Sequence, residues 1–222
     1  MCGIAGILNL NGETVDSSVI KLMTDSIAHR GPDGQGQWIE RNVGFGHRRL
    51  SIIDLSDKGK QPMHSSTGRF VITYNGEVYN FKEIRTQLQN LGIQFRSNSD
   101  TEVIVNALEN WGIEAIYRFN GMFSFALWDK RERCLTLGRD RYGIKPLYVC
   151  ENENQISFGS EQKAILKNPK IQRIIDQAGI IEYFTFQNIF SNRTFIEDIK
   201  MLPAGHYANI SINNNHPKLR IT

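Results

Sequence analysis

Cys2 follows the initiator Met1 directly, and a cysteine in this position can do covalent chemistry. Initiator methionine is commonly removed before a small residue, and we expect its removal here to leave a cysteine with a free α-amine. An α-amine titrates near pH ~7.7 to 8.0 and a thiol near ~8.5, so the amine can accept the thiol proton directly or through a water. The position predicts an N-terminal nucleophile; the ordinary alternative is an accidental cysteine.

Two segments further along the chain could bind an amino acid. Arg48 and Arg49 lie in the run GHRRLSIID, which has the composition of a buried strand. Adjacent strand residues point to opposite faces, so one guanidinium can reach a pocket and bind a carboxylate through two hydrogen bonds. Asp100, in the sequence SDTE before a predicted helix, could bind an ammonium group. A solvated arginine pair and a helix cap at Asp100 are the ordinary interpretations of the same residues.

Asn75 and Gly76 lie at the end of a predicted strand. The pair Asn-Gly is first of all a turn signal. The Asn75 side-chain amide and the Gly76 N–H could instead form an oxyanion hole, where one donor stabilises a transition state by about 3 to 4 kcal/mol. These two residues alone leave both interpretations open.

Two charged segments have less specific patterns. Residues 29–33, HRGPD, form a polar loop that could cover a pocket, and an ordinary surface loop is the alternative. Residues 139–148, RDRYGIKPLY, are dense in charge beside strand-like sequence. They predict a salt-bridged structural turn rather than a catalytic segment.

Helices and strands must position these residues. Asp16 or Ser17 predicts the start of one helix, Asn80 with Glu83 resembles the capping box of a second that ends before Gly92, and a third ends before Gly112. Strand-like stretches cover residues 44–53, 70–74, 122–128, 134–138, 147–150 and 156–158. Several, such as MFSFALW, are apolar on both faces, which is typical of strands between two layers. The mixed order indicates a layered α+β fold.

Composition excludes several classes of protein. The chain has 222 residues, 40% hydrophobic content, and 26 Lys and Arg against 23 Asp and Glu that are scattered along it. No nucleic-acid or membrane surface is therefore expected, and no segment approaches the roughly 18 apolar residues that span a bilayer. Three cysteines without paired spacing argue against disulfides and a zinc site. We expect a cytoplasmic protein with reduced thiols and no metal.

The motifs occur in an order that resembles one known family. Cys2 is followed by HRGPD, GHRRLSIIDL, YNGEVYN, SDTEV, RDRYGIKPLY, FGSEQKAIL and LPAGHY, as in the glutaminase domain of glutamine-dependent asparagine synthetases. The resemblance covers essentially the whole chain. That family belongs to the class II glutamine amidotransferases. It implies the N-terminal nucleophile hydrolase fold, an α+β, four-layer αββα sandwich of two mainly antiparallel sheets between helices.

The resemblance also implies a role for individual residues. Cys2 would form a thioester with L-glutamine and release ammonia and then glutamate, while Asn75 and Gly76 form the oxyanion hole. Arg49 would bind the α-carboxylate, and Glu77 and Asp100 the α-amino end. The residues implied to bind glutamine are Arg49, Leu50, Ser51, Ile52, Ile53, Asn75, Gly76, Glu77 and Asp100. Arg48 falls at a variable position of the motif and receives no role.

The resemblance further implies a partner domain. Residues 1–208 are expected to form the glutaminase domain, and residues 209–222 the start of a linker to an ATP-dependent synthetase domain. The SGGxDS loop of that domain does not appear before Thr222. ATP and Mg²⁺ are implied only for the synthetase domain, which would receive the ammonia through a tunnel and convert aspartate to asparagine. No cofactor is expected in this chain, and a homodimer is left open.

The sequence is also compatible with related functions. Ala204, Tyr142 and Gln162 depart from the family pattern outside the expected pocket, which leaves open a synthetase that amidates a sugar, a peptide or a cell-envelope precursor. An amidotransferase of a hexosamine or purine pathway also stays open, as does an N-terminal nucleophile amidase for a different substrate. The last possibility is a non-catalytic interaction module of the same fold.

Overall fold

The computed structural model describes residues 1–213 and 217–222. In chain order its strands are β1 (Gly3–Asn9), β2 (Gly34–Glu40), β3 (Val43–Arg49), β4 (Met63–His64), β5 (Phe70–Val78), β6 (Gly121–Asp129), β7 (Cys134–Arg139), β8 (Tyr148–Asn152), β9 (Gln155–Gly159), β10 (Ile199–Met201), β11 (Tyr207–Ser211) and β12 (Arg220–Ile221). Its α-helices are α1 (Ser17–Asp25), α2 (Phe81–Asn90), α3 (Asp100–Trp111), α4 (Gln162–Ile165) and α5 (Gln177–Phe186). Short 3₁₀ helices cover Ala28–Arg30, Asp57–Gly59 and Gly112–Arg118.

The strands form two antiparallel sheets. The first has the order β10-β8-β9-β1-β3-β2 and the second the order β12-β11-β7-β6-β5-β4. Alternate residues of each central strand face opposite layers, as strand geometry requires. In β1, Ile4 and Leu8 pack between the sheets, while Ala5 and Ile7 pack against α1. Burial on both faces explains why these strands are apolar throughout.

Four layers result from this packing. Helices α1 and α4 cover the outer face of the first sheet, and α2 and α3 cover the outer face of the second. The core between the sheets contains Phe45, Val71 and Trp128, and a further core under α2 and α3 contains Ile72 and Leu88. The expected αββα sandwich is confirmed.

The helix starts differ in how well the sequence predicts them. The Asp16 side chain accepts a hydrogen bond from Ser18 N, which confirms the predicted cap of α1. The cap of α3 is Ser99, whose side chain accepts from Glu102 N, so the cap predicted at Asp100 is wrong by one residue. The capping box at Asn80 is wrong, because its side chain instead holds the backbone of Arg118 and Asn120. At the start of α2, contacts with residues about 40 positions away thus replace the predicted local cap.

The C-terminal part of the chain belongs to the second sheet. Strand β11 pairs with β7 and with β12. The predicted domain boundary at residue 208 lies within β11, and residues 214–216 of the predicted linker lie outside the described residues. The division into a domain and a linker stays a prediction. Across the described ranges, no helix is long and apolar enough to cross a membrane.

Candidate active site

A cavity of about 160 Å³ opens at the end of the space between the two sheets. It lies where β1 begins, where β3 ends, and beside the second half of β5. All ten site residues predicted from the sequence line it. The full lining consists of Met1, Cys2, Arg49, Leu50, Ser51, Ile52, Ile53, Asp54, Gly59, Gln61, Tyr74, Asn75, Gly76, Glu77, Ser99, Asp100, Thr101, Met122 and Lys145.

Cys2 is held at the mouth of this cavity by backbone contacts. Leu50 N donates to its Sγ at 3.4 Å, and Sγ lies 3.6 Å from the Leu50 carbonyl. Burial raises the pKa of the Cys2 thiol above its ordinary value, and the Leu50 hydrogen bond partly opposes that rise. The thiol is therefore neutral at physiological pH and needs a base before it can act as a nucleophile.

The segment HRGPD does not cover the cavity, which was one of its two predicted roles. Arg30, whose side chain is largely buried, donates from Nε to the Cys2 carbonyl at 2.9 Å and pairs with Glu161 at 3.1 Å. Gly31 packs on the Arg48 backbone, and an added Cβ would lie 2.3 Å from that carbonyl carbon. The segment thus holds the backbone of Cys2 in place through Arg30.

The two adjacent arginines point in opposite directions, as predicted from strand geometry. Arg48 faces α1, where it pairs with Asp25 and donates to the Thr24 carbonyl at 3.2 Å. Arg49 faces the cavity, where it donates to the carbonyls of Ser56 and Asp54. These contacts hold the Arg49 guanidinium at the wall of the cavity and leave Arg48 outside it.

Residues 50–53 form the rim next to Arg49. Ser51 N donates to the Asp33 carboxylate at 2.8 Å. Ile52 is 59% exposed and Ile53 is 39% exposed, although both line the cavity. An apolar rim that is open to solvent can become covered when a ligand binds.

Asn75 and Gly76 lie inside β5, where they pair with Ser124 and Phe123 of β6. The hairpin-turn alternative is therefore wrong, because the strand continues to Val78. Asn75 is 1% exposed, yet neither its side-chain nitrogen nor its oxygen has a hydrogen-bond partner among the described residues. A buried, unpaired amide is costly, which is typical of a group that awaits a ligand.

Asp100 lies in the first turn of α3 and faces inward instead of capping the helix. Its Oδ2 accepts hydrogen bonds from the Tyr74 hydroxyl at 3.1 Å and from Val78 N at 3.2 Å. Burial raises the pKa of Asp100 to about 6, and the nearby Glu77 adds to this rise. A carboxylate in such a place is stabilised when an ammonium group binds beside it.

Sequence reasoning missed several residues of this wall. Gln61 accepts from Tyr74 N at 2.6 Å and donates to the Thr101 hydroxyl at 3.2 Å, so it connects β5 to α3. Lys145 is only 5% exposed, and burial lowers the pKa of its ammonium. No local pattern marks Gln61, and Lys145 is one of several charged residues in RDRYGIKPLY.

The rest of RDRYGIKPLY is a structural turn, as predicted, but among the described residues hydrogen bonds to the backbone hold it instead of the predicted salt bridges. The buried Asp140 carboxylate accepts backbone hydrogen bonds from Phe123, Tyr142, Ile144 and Lys145. Arg139 donates to the carbonyls of Gly143, Lys145 and Leu202. In the part of the chain that the structure describes, no cluster of three or more His, Cys, Asp or Glu could hold a metal ion.

Comparison with solved structures shows which fold the chain has. The glutamine phosphoribosylpyrophosphate amidotransferase of Bacillus subtilis superposes with a TM-score of 0.71 at 17% identity, over 99% of this chain and 49% of that one. A second structure, described as the allosteric regulatory enzyme of purine biosynthesis, gives the same TM-score over 48% of its chain. At this identity the likeness concerns the fold, which is that of the N-terminal nucleophile amidotransferases.

Comparison of sequences then identifies the family. The model of the glutamine amidotransferase domain matches residues 1–219. Asparagine synthetase 2 of Bacillus subtilis is 38% identical over 98% of this chain, and amidase chry2 of Gibberella zeae is 34% identical over 93%. The chain belongs to the glutamine amidotransferase domain family, and the resemblance to the asparagine synthetases is confirmed. It spans 30% of the first relative and 32% of the second.

Proposed function

We propose that this chain hydrolyses L-glutamine through a thioester on Cys2 and supplies the ammonia to a synthetase region that makes asparagine. One observation supports the site assignment above all. The cavity brings together a thiol, an unpaired buried amide, a guanidinium and a buried carboxylate, although these groups are far apart in the sequence. The thiol and the unpaired amide suit the δ-amide of glutamine, the guanidinium suits its α-carboxylate, and the buried carboxylate suits its α-ammonium.

The first half of the proposed reaction forms the thioester. The α-amine of Cys2, free once Met1 is removed, takes the thiol proton, and the thiolate attacks the δ-carbonyl carbon of glutamine. Asn75 Nδ2 and Gly76 N–H donate to the oxyanion that develops on the δ-oxygen. The protonated amine then returns its proton to the leaving nitrogen, and ammonia departs.

The second half regenerates the enzyme. The same amine takes a proton from water, and the hydroxide attacks the thioester carbonyl. The Cys2 thiolate then leaves and takes that proton back from the amine, with glutamate as the second product. Covalent catalysis thus divides one slow amide hydrolysis into two faster steps. Arg49 would hold the α-carboxylate, with Glu77 and Asp100 at the α-ammonium and residues 50–53 along the rim.

The relatives are about three times as long as this chain. The synthesis of asparagine from aspartate is proposed for a protein of that length and not for these 222 residues. ATP and Mg²⁺ are assigned to its synthetase region and not to this cavity. Because one relative is described as an amidase, the alternative is a related protein that uses the ammonia to amidate a different acceptor. A cytoplasmic location agrees with the three free cysteines.

Replacement of the nucleophile tests the proposal. Cys2→Ala is expected to lower glutamate release from glutamine by about 10³-fold or more, as loss of a covalent nucleophile does. Cys134→Ala, which removes a half-buried thiol outside the cavity, is the matched control and should retain activity. Mass spectrometry of rapidly quenched wild-type protein should show the loss of Met1 and the gain of one glutamyl group. Full activity of Cys2→Ala, or of protein that keeps Met1, would contradict the mechanism.

A further inference from the structure

Residues 174–195, which we call the apolar face, expose large apolar side chains to solvent. Helix α5 lies within it and exposes mostly apolar side chains, with Gly179 as its only buried residue and Phe184 79% exposed. A helix with so many exposed apolar side chains is normally covered by other protein. The exposed apolar side chains of the face are Ile174, Ile175, Ile181, Tyr183, Phe184, Phe186, Phe190 and Phe195.

Polar contacts hold the apolar face in one shape. Asp176 accepts from Gly179 N at 3.1 Å and pairs with Arg193 at 2.8 Å. Glu182 accepts from Phe190 N at 2.7 Å and from Ser191 N at 2.8 Å. These hydrogen bonds connect the helix to the loop that follows it. The apolar side chains are therefore presented on a preformed surface instead of folding back on themselves.

The apolar face is also concave. A hollow of about 380 Å³ is lined by Ile175, Ile180, Tyr183, Phe184, Phe195 and Ile196. The rings of Tyr183 and Phe195 meet edge to face, with centroids 5.2 Å apart. A rigid apolar hollow of this kind suits the insertion of apolar side chains from a folded partner.

The position of the apolar face indicates which partner covers it. Ile175 pairs with Ile196, and Met201 N at the end of β10 donates to the Asn192 carbonyl at 2.8 Å, so the face adjoins this edge strand of the first sheet. Leu219 N donates to Glu151 of β8 at 2.9 Å. Leu219 and Ile221 line a second cavity together with residues of β10. The last residues of the chain and the apolar face thus share one edge of the molecule.

The relatives show what can follow at this edge. Asparagine synthetase 2 of Bacillus subtilis matches over only 30% of its length, in its N-terminal part. In a protein with the length of these relatives, the synthetase region follows residue 222. Its first residues therefore lie near β10 and close to the apolar face. A tether gives a high effective concentration, which favours docking of that region over docking of a free molecule.

We propose that the apolar face is the docking surface for the synthetase region, an inference that rests on the proposed function. Docking there buries the exposed phenylalanines against apolar side chains of that region and sets its orientation relative to the glutaminase cavity. Helix α5 has no Lys or Arg and carries Glu182, which disfavours the other apolar partner, an anionic lipid surface, because a helix that binds such a surface needs a basic polar face.

Hydrogen–deuterium exchange on the full-length gene product tests the contact directly. The amides of α5 are expected to exchange at least tenfold more slowly in the full-length protein than in the 222-residue chain. Equal exchange in both would overturn the inference, as would slow exchange in the 222-residue chain that depends on its concentration, because a second copy would then be the occupant. A gene product without a synthetase region would also overturn it.

Two substitutions test the consequence for function. In the full-length protein, Phe184→Ser with Phe190→Ser is expected to reduce the amidated product formed per glutamate released by severalfold. Glutamine hydrolysis and amidation with added ammonia should stay within twofold of wild type. Leu91→Ser, at an exposed apolar residue outside the face, is the matched control. An unchanged ratio overturns the docking surface, whereas wild-type protein that fails to hydrolyse glutamine overturns the proposed function instead.

Discussion

The opposite orientations of Arg48 and Arg49 allow a matched test of substrate binding. Arg49→Ala removes the guanidinium that lines the cavity, while Arg48→Ala removes the one that pairs with Asp25 outside it. We expect Arg49→Ala to raise KM for glutamine by about 10²-fold, because a charged hydrogen bond contributes roughly 1.5 to 3 kcal/mol. Arg48→Ala should leave KM within about threefold. Steady-state kinetics of both variants decide the assignment, and equal KM values would contradict it.

Asp100 should make glutamine binding depend on pH. Its pKa is about 6, so its carboxylate is ionised at pH 7 and mostly protonated at pH 5. If the ionised form binds the substrate ammonium, KM should rise about tenfold between pH 7 and pH 5, in proportion to the loss of carboxylate. Asp100→Asn should have a high KM at both pH values. A flat KM in the wild-type protein over this range would contradict the role.

At the scale of elements, the continuation of β5 through Gly76 determines the shape of the oxyanion site. A Cβ on Gly76 would lie 2.3 Å from the Met122 carbonyl oxygen and 2.6 Å from Phe123 Cα, both backbone atoms of β6. The two strands would have to separate. Position 76 therefore requires glycine because the backbone of β6 lies so close, and not because the chain turns there.

Gly76→Ala keeps the backbone N–H but moves it away from the oxyanion as β5 and β6 separate, and kcat for glutamine hydrolysis is expected to fall by up to about 10² to 10³-fold, the usual cost of losing one oxyanion donor. Gly34→Ala is the matched control in β2, since its added Cβ would be 3.8 Å from the nearest atom. Activity and thermal stability are measured together for both variants. Normal kcat in Gly76→Ala would contradict the expected displacement of this N–H when the two strands separate.

At the scale of the whole molecule, His47 connects the two sheets. It lies in β3, and its Nε2 is 3.1 Å from the Tyr74 carbonyl of β5. Burial lowers the pKa of His47 from 6.5 to about 4. The unfolded chain therefore binds a proton between about pH 6.5 and pH 4 that the folded protein does not bind. The free energy of unfolding should fall as pH decreases through this window.

The expected loss from His47 is about 3 kcal/mol, at ~1.4 kcal/mol per pH unit of pKa difference. His47→Gln keeps a side-chain N–H for the Tyr74 carbonyl but cannot titrate. Urea unfolding of both proteins at pH 7 and pH 4 should show a smaller decrease for the variant. Equal decreases would mean that His47 can be protonated without opening the contact between the sheets.

Much of the site follows from residue type and local pattern. Three features are local: Cys2 after Met1, arginines on alternate strand faces, and a glycine after α2 and after α3. The sequence alone therefore predicted a nucleophile, a carboxylate ligand and the ends of α2 and α3, whereas it did not predict α4 or α5. The motifs also resemble those of asparagine synthetase glutaminase domains closely enough to predict the αββα fold, which the comparisons confirm.

Only the tertiary structure decided which local signals mattered. Asn-Gly is a turn in most sequences and is a strand here, because β6 pairs with it from residues more than 45 positions away. Arg30 supports Cys2, and Gln61 and Tyr74 position Asp100 and α3, through contacts that no periodicity records. Local interactions set the type of each element, whereas packing between the sheets set the direction of each side chain and so determined the site.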